Sequence, residues 1–463
     1  MIRFGKTFRT IAASLLIGAA AGAASAETLA DTLVSAYENS GLLEQNRALL
    51  RAADEDVAIA AAALKPILSW SANASIASPR PVVGGSVFGG GDTRTITTSA
   101  SLNAEMLLYD FGRSETAIAA QKEVVLATRE QLRDIEQQIL LRAVTAYLNI
   151  KRFSEFVALR DSNVRVITQE LRAARDRFEV GEVTRTDVSL AEAALAAARS
   201  ELASSQGERA QAVEEFIAAV GRPPGALAPV QPAPIEYGLD AAKDFAVRNH
   251  PLIRAAQHNI AAAELNIVRA EAAQRPTVRA QGSINFDTDF NSSEQFGISI
   301  GGPISQGGAL AAQVRQAMAQ RDAQRAGLHI TVNQIEQQVG NAYALLAVAV
   351  ASAEASDRQI RASRVAFQGV REEATLGART TLDVLNAEQD LLDAQANLIS
   401  AQVDQAIASY NILAALGLLT AEHLNLGVQS YDPAAYYNLV KDAPLGLSDR
   451  GRALDRVLEA IGD

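Results

Sequence analysis

Residues 180–188 read VGEVTRTDV, and residues 376–384 read LGARTTLDV. Each copy lies between long, Ala-rich, charged stretches with helical patterning. Gly181 and Gly377 suit the left-handed position that stops an incoming helix. Three residues later, Thr184 and Thr380 suit an N-cap, and Asp187 and Asp383 fall at N3, the spacing of a capping box. Each copy thus predicts a helix stop, a cap and a new helix start, the tip of a helical hairpin.

The echo extends beyond the turn. Tyr147 matches Tyr343, Glu192 matches Glu388, and Gly221 of AAVG matches Gly417 of AALG, all 196 positions apart. Nearer the start of each half, the helix stops at Pro66 and Pro276 are 210 apart, so the first half carries 14 extra residues between Pro66 and Tyr147. The Gly- and Pro-rich PRPVVGGSVFGGGD at 79–92 is their expected host. A fixed offset of this length marks an internal duplication. The expected organisation is a first repeat over 27–221, a Pro-rich linker over 222–237, a second repeat over 238–420, and a tail over 421–463.

Residues 1–26 stand apart. Arg3, Lys6 and Arg9 precede an apolar run, and Ala24-Ser25-Ala26 forms an A-x-A cleavage site, the pattern of a secretory signal peptide. The chain has 463 residues, a formal charge of −11 and no cysteine. The acidic balance argues against a nucleic-acid partner. Without cysteine there is neither a disulfide framework nor a lipidated N-terminus. No later run of about 18 consecutive apolar residues suggests a spanning helix.

Between the helical stretches the period changes to two. Strands are expected at about 67–78, 94–107, 277–290 and 294–302. In the first, Trp70, Ala72, Ala74 and Ile76 alternate with Ser69, Ser71, Asn73 and Ser75. In the third, Val278, Ala280, Ile284, Phe286 and Phe290 alternate with polar residues. Such alternation fits a sheet with one apolar face, either packed on helices or facing lipid. Four strands cannot close a barrel, and open edges are not tolerated in lipid, so a membrane reading requires several chains to pool strands. After each strand pair, helical hairpins run from about 113 to 219 and from about 309 to 416. Their first arms would be about 100 Å long.

Together these features resemble the TolC family of outer-membrane channels. The resemblance covers nearly the whole chain after residue 26. It is most specific at RFEVGEVTRTDVSLAEAAL and ATLGARTTLDVLNAEQDLL. Leu108-Tyr109-Asp110-Phe111-Gly112 and Asn249-His250-Pro251 carry weaker marks. The resemblance implies a mixed α and β fold and a homotrimer. Each chain would lend four strands to a twelve-stranded barrel in outer-membrane lipid, and long helices to a periplasmic α-barrel. It implies partners at the tips: a periplasmic adaptor and an inner-membrane pump or ABC transporter, for efflux or type I secretion. It also implies that Asp383 lines the entrance constriction, that Asn386 stands where the family has a second aspartate, and that Arg379 with Thr186 and Asp187 links neighbouring helices in the closed state. Val180, Gly181, Leu376 and Gly377 would meet the adaptor. From spacing alone, Arg379 and Asp383 also predict a local i,i+4 ion pair.

Two other classes stand beside this one. An enzyme finds no support: His250, His258, His329 and His423 lack metal-ligand spacing, no nucleophile elbow, phosphate loop or cofactor motif occurs, and Glu372-Glu373 read as solvated helix surface. A periplasmic coiled coil or adhesin explains the long helices but not the four lipid-compatible strands.

Overall fold

The computed structural model describes residues 26–77, 95–428, 431–444 and 448–462. The signal-peptide segment, but for its last residue, and the 79–92 segment lie outside the described residues. The elements come in two matching series. The first is α1 (Leu29–Glu38), α2 (Gly41–Ala62), β1 (Ile67–Ala77), β2 (Thr95–Tyr109), α3 (Arg113–Glu179) and α4 (Arg185–Val220). The second is α5 (Leu239–Asn249), α6 (Pro251–Ala272), β3 (Thr277–Phe286), β4 (Ser292–Gly301), α7 (Ala309–Thr375) and α8 (Thr381–Ala415). Two helices of the tail follow, α9 (Pro433–Val440) and α10 (Asp449–Gly462).

α3 and α7 are each 67 residues long, with the bounds expected from their flanking glycines and turns. Composition puts part of α7 at the threshold of a membrane span, with a mean hydropathy of 1.2. Alanine inflates that figure. Val339 and Ala342, where α7 is most apolar, pack with Ile412 of α8.

The four strands form one antiparallel sheet in the order β1-β2-β3-β4. Residues opposite one another share a face. Trp70, Leu102 and Ile284 form one row, Ala72, Ala100 and Phe286 the next, and Met106, Ala280 and Ile298 another. This face is bare: Trp70 is 79% exposed and Phe296 82%. The other face is polar. Ser71 and Ser101 share a 2.7 Å hydrogen bond, and Arg279 pairs with Glu105 across β3 and β2. Among the described residues no helix covers the apolar face, which does not fit a sheet packed on helices.

Three strand expectations are corrected. β3 ends at Phe286, not 290. The Asp287 carboxylate accepts from the N–H groups of Asp289 and Asn291 and from the Asn291 amide, closing a turn in which Phe290 takes φ 59°. The apparent alternation through Asp287, Asp289 and Phe290 is therefore turn chemistry. β4 starts at Ser292, as soon as this turn closes. β2 continues to Tyr109, past an irregularity between Leu107 and Tyr109 that bends its pairing with β3.

The main core lies about halfway along α3, where it meets α1 and the C-terminal ends of α4 and α8 around Leu33, Leu140, Val144, Phe216 and Leu413. Tyr147 is fully buried there, its hydroxyl 2.8 Å from the carbonyls of Glu27 and Ala228. Its counterpart Tyr343 donates to the Tyr237 carbonyl at 2.6 Å. The linker is extended; its Ala226–Ala228 stretch brackets Glu27 with two backbone hydrogen bonds.

The repeated glycines at the ends of α4 and α8 have a packing role. Gly221 (φ 86°) lies against Asn39, just before α2, whose amide donates to the Val220 carbonyl at 3.3 Å. Gly417 (φ 80°) lies against His250 and Pro251, at the start of α6. Each hairpin's second arm thus abuts the N-terminus of the helix that leads into a strand pair. Burial pushes the His250 imidazole down to about 4, so it caps α6 as a neutral ring, accepting from the Leu252 N–H at 3.2 Å.

Candidate functional site at the hairpin tips

The two tips are built by the same local rules. At the end of α3, the Gly181 N–H (φ 80°) donates to the Phe178 carbonyl, and the Glu182 N–H to the Arg177 carbonyl at 2.9 Å. At the end of α7, the Gly377 N–H (φ 78°) donates to the Ala374 carbonyl, and the Ala378 N–H to the Glu373 carbonyl at 2.9 Å. These are Schellman stops, satisfying carbonyls that the helix leaves open. The next helices start with full capping boxes. Thr184 Oγ1 accepts from the Asp187 N–H at 3.3 Å, and Asp187 accepts from the Thr184 N–H at 2.9 Å. Thr380 and Asp383 repeat this at 3.2 and 2.9 Å.

Both aspartates are held below their usual pKa by the cap. For Asp187 the Thr184 side chain matters most; for Asp383 it is the Thr380 backbone N–H. Each stays ionised, with one carboxylate oxygen spent on the cap. The outermost residues are apolar and bare: Val180 is 71% exposed and Leu376 84%. Thr186 is also exposed on the first turn of α4, and Asn386 on the second turn of α8.

The expected local Arg379–Asp383 pair is not what forms. Arg379 precedes the Thr380 cap and lies outside the helix, so helical spacing does not apply to it. Its Nε donates to Glu373 Oε2 of α7 at 2.8 Å, which clamps the turn shut. Glu373 is therefore a partner, not idle surface. Nor does the single chain bring Arg379 to Thr186 or Asp187: Asp187 is held in its own cap and Arg379 in its own hairpin.

Between the main core and the tips, a polar set that the sequence reading did not single out also joins the hairpins. Arg371 of α7 reaches Glu170 of α3 at 3.1 Å. Asn163 of α3 donates to the buried Glu388 of α8 at 3.4 Å. Burial holds the Glu388 carboxyl above its usual range, and the Asn163 bond only partly offsets this. Leu385 of α8 packs with Ile167, Leu171 and Leu195 of the first hairpin beside this set. One signal was available: Arg371 and Glu388 sit 196 positions after Arg175 and Glu192, which pair with each other at 2.6 Å within the first hairpin. Among the described residues no cluster of His, Asp and Glu could hold a metal ion.

The model of the outer membrane efflux protein family matches residues 32–222 and 244–418, one block on each side of the linker. The outer membrane efflux protein BepC of Brucella suis is 35% identical over 433 residues, covering 92% of this chain and 93% of its own. The outer membrane protein TolC of Escherichia coli is 24% identical over 440 residues, covering 89% of this chain and 87% of its own. A solved structure of CusC, 22% identical, aligns with a TM-score of 0.75 over 84% of this chain and 92% of its own. The duplication, the bare amphipathic sheet and the long hairpins with capped tips are the body of such a protein, and the chain belongs to the outer membrane efflux protein family.

Proposed function

We propose that three copies of this chain form a channel-tunnel, the exit duct of a tripartite efflux pump or a type I secretion system. The sheet carries this reading. Its strands are 10 to 15 residues long, enough for a hydrocarbon core that takes about 9–11 tilted residues. One face is apolar and bare, the other polar, and β1 and β4 each have a free edge among the described residues. Free edges in lipid need partners, and pooling four strands from each of three chains closes a twelve-stranded barrel. Exposed Leu345, Val348 and Val365 on α7 supply further apolar surface for contact between copies.

The test is extraction and assembly. The protein should need detergent, crosslink as a trimer and conduct ions in planar bilayers. Release by salt alone, as a monomer without conductance, would favour the periplasmic coiled-coil or adhesin reading.

In this channel Asp383 and Asn386 face the entrance, while Arg379, Thr186 and Asp187 hold neighbouring tips together. With asparagine at 386, the acidic ring is weaker than one with two aspartates per chain. Asp383→Ala should reduce block by multivalent cations; unchanged block would remove Asp383 from the pore. Val180, Gly181, Leu376 and Gly377 present a small, smooth apolar tip to an adaptor that bridges to the inner-membrane pump or ABC transporter. Cysteine placed at 181 or 377 should crosslink that adaptor in cells, against a background with no other cysteine.

A further inference from the structure

Residues 431–444 run along α2, and a set of polar contacts holds them there. The Arg47 guanidinium lies between the rings of Tyr37 and Tyr431, 5.3 and 5.2 Å from their centroids. Arg129 of α3 lies 5.4 Å from the Tyr437 ring and donates to the Pro433 carbonyl at 3.1 Å. The Tyr436 hydroxyl donates to Glu55 at 2.6 Å. Lys65 Nζ donates to the Ala443 carbonyl at 2.6 Å and to that of Asp442. Tyr436 and Val440 pack on Ala58 of α2 beneath these contacts.

One group under this segment is ill-matched. The Asp54 side chain is 0% exposed, yet among the described residues neither carboxylate oxygen has a hydrogen-bond partner. Its nearest cation, Arg129, is 3.9 Å away and already serves the Pro433 carbonyl. The charged and titratable groups around Asp54 are Arg51 and Glu55 on α2, Arg129 on α3, and Tyr431 and Tyr436 on the covering segment. A buried carboxylate without hydrogen bonds is unfavourable. A proton would remove that charge and leave Arg129 wholly to the Pro433 carbonyl and the Tyr437 ring.

We propose that Asp54 makes residues 431–444 a proton-responsive strap, seated more firmly on α2 and α3 as the pH falls from neutral to mildly acidic. Burial is the largest influence on the Asp54 carboxyl and outweighs Arg129, holding its pKa up at about 6. Unseating the strap admits water and lets the pKa fall back toward the usual 3.8. The seated form therefore binds the proton more tightly. Its advantage is full below the lower pKa and is lost as pH rises through the upper one. For complete rehydration, the seated-to-unseated ratio is about tenfold higher at pH 5 than at pH 7.5.

Native-state hydrogen exchange of the full-length protein tests this, with protection factors for α9 amides corrected for the intrinsic exchange rate. Protection should be up to about tenfold greater at pH 5 than at pH 7.5. Asp54→Asn, which keeps the shape and removes the titration, should show no such dependence. Glu136 is the control: this half-buried carboxyl accepts from the Ala421 N–H at 2.7 Å, upstream of the strap, and Glu136→Gln should keep the wild-type dependence. Equal α9 protection at both pH values in the wild type overturns the proposal, whichever variants fold. So does a wild-type dependence that survives in Asp54→Asn.

Discussion

The hairpins α3–α4 and α7–α8 share a turn but not their partners. Their Schellman and capping-box hydrogen bonds agree to within a few tenths of an ångström. Their flanks differ. In the first hairpin Arg175 and Glu192 satisfy each other. In the second, the matching Arg371 and Glu388 each turn to the first hairpin, to Glu170 and Asn163. Arg379 then closes the second tip on Glu373, where the first copy has Val183. The shared part builds a tip. The divergent part decides which hairpin leans on which: the polar contacts from Arg371 and Glu388 run from the second hairpin to the first.

The largest effects should fall on shared architecture and be alike in both copies. A Cβ at Gly417 would come 2.9 Å from Pro251 Cδ, and one at Gly221 would come 2.8 Å from Asn39 Cβ, each on left-handed backbone. Gly417→Ala and Gly221→Ala should each destabilise by about 3 kcal/mol in urea unfolding. Gly181→Ala and Gly377→Ala, in open space, should cost about 1–2 kcal/mol. Equal losses at all four sites would mean the α4 and α8 ends are not packed.

The lateral pairs should separate the copies. Asn163→Ala leaves Glu388 buried without its bond, at about 1–3 kcal/mol. Arg175→Met removes only an exposed pair, at about 0–1 kcal/mol. A pH dependence belongs to the same contact. The raised pKa of Glu388 means that the packed hairpins hold its proton more tightly. Their contact is thus firmest below the ordinary 4.5 and weakens as pH rises through the raised value. Glu388→Gln should flatten this in a stability-versus-pH profile; an unchanged profile would assign the dependence elsewhere.

Smaller still, Thr184→Ala and Thr380→Ala should each cost about 1 kcal/mol in the same unfolding assay. Smallest for stability is Arg379→Ser, because the Arg379–Glu373 pair is exposed. It should leave the unfolding midpoint in place while raising closed-state conductance in bilayers. Unchanged conductance would confine Arg379 to its own turn.

Much of this was legible in the sequence because glycine, threonine and proline punctuate it. Gly112, Gly181, Gly308 and Gly377 delimit the long helices, and Pro66 and Pro276 end α2 and α6 as expected. The strand period was also clear, except where Asp287 and Asp289 imitate alternation inside a turn. Site chemistry was less legible. A period tells which residues share a face of one helix, not which helix that face meets. Glu388 could be matched to Glu192 by offset, but its burial against Asn163 arises only when the hairpins dock. Spacing pairs Arg379 with Asp383, but the cap at Thr380 takes Arg379 out of the helix to which that spacing applies, and its ion pair goes to Glu373 instead.

The abutting helix ends at Gly221 and Gly417 have a mechanical consequence. α3 and α7 are unbroken staves of 67 residues; beside them, α4 with α2 and α8 with α6 cover a comparable height as staves cut in two. The pieces follow one another in the same direction, so the dipole of one feeds the next. A cut stave can pivot at its joint without breaking backbone hydrogen bonds, whereas an unbroken one must bend along its length. If the tips splay to open the proposed channel, the hinge line should lie at the level of Gly221 and Gly417, leaving the stretch between it and the strands still.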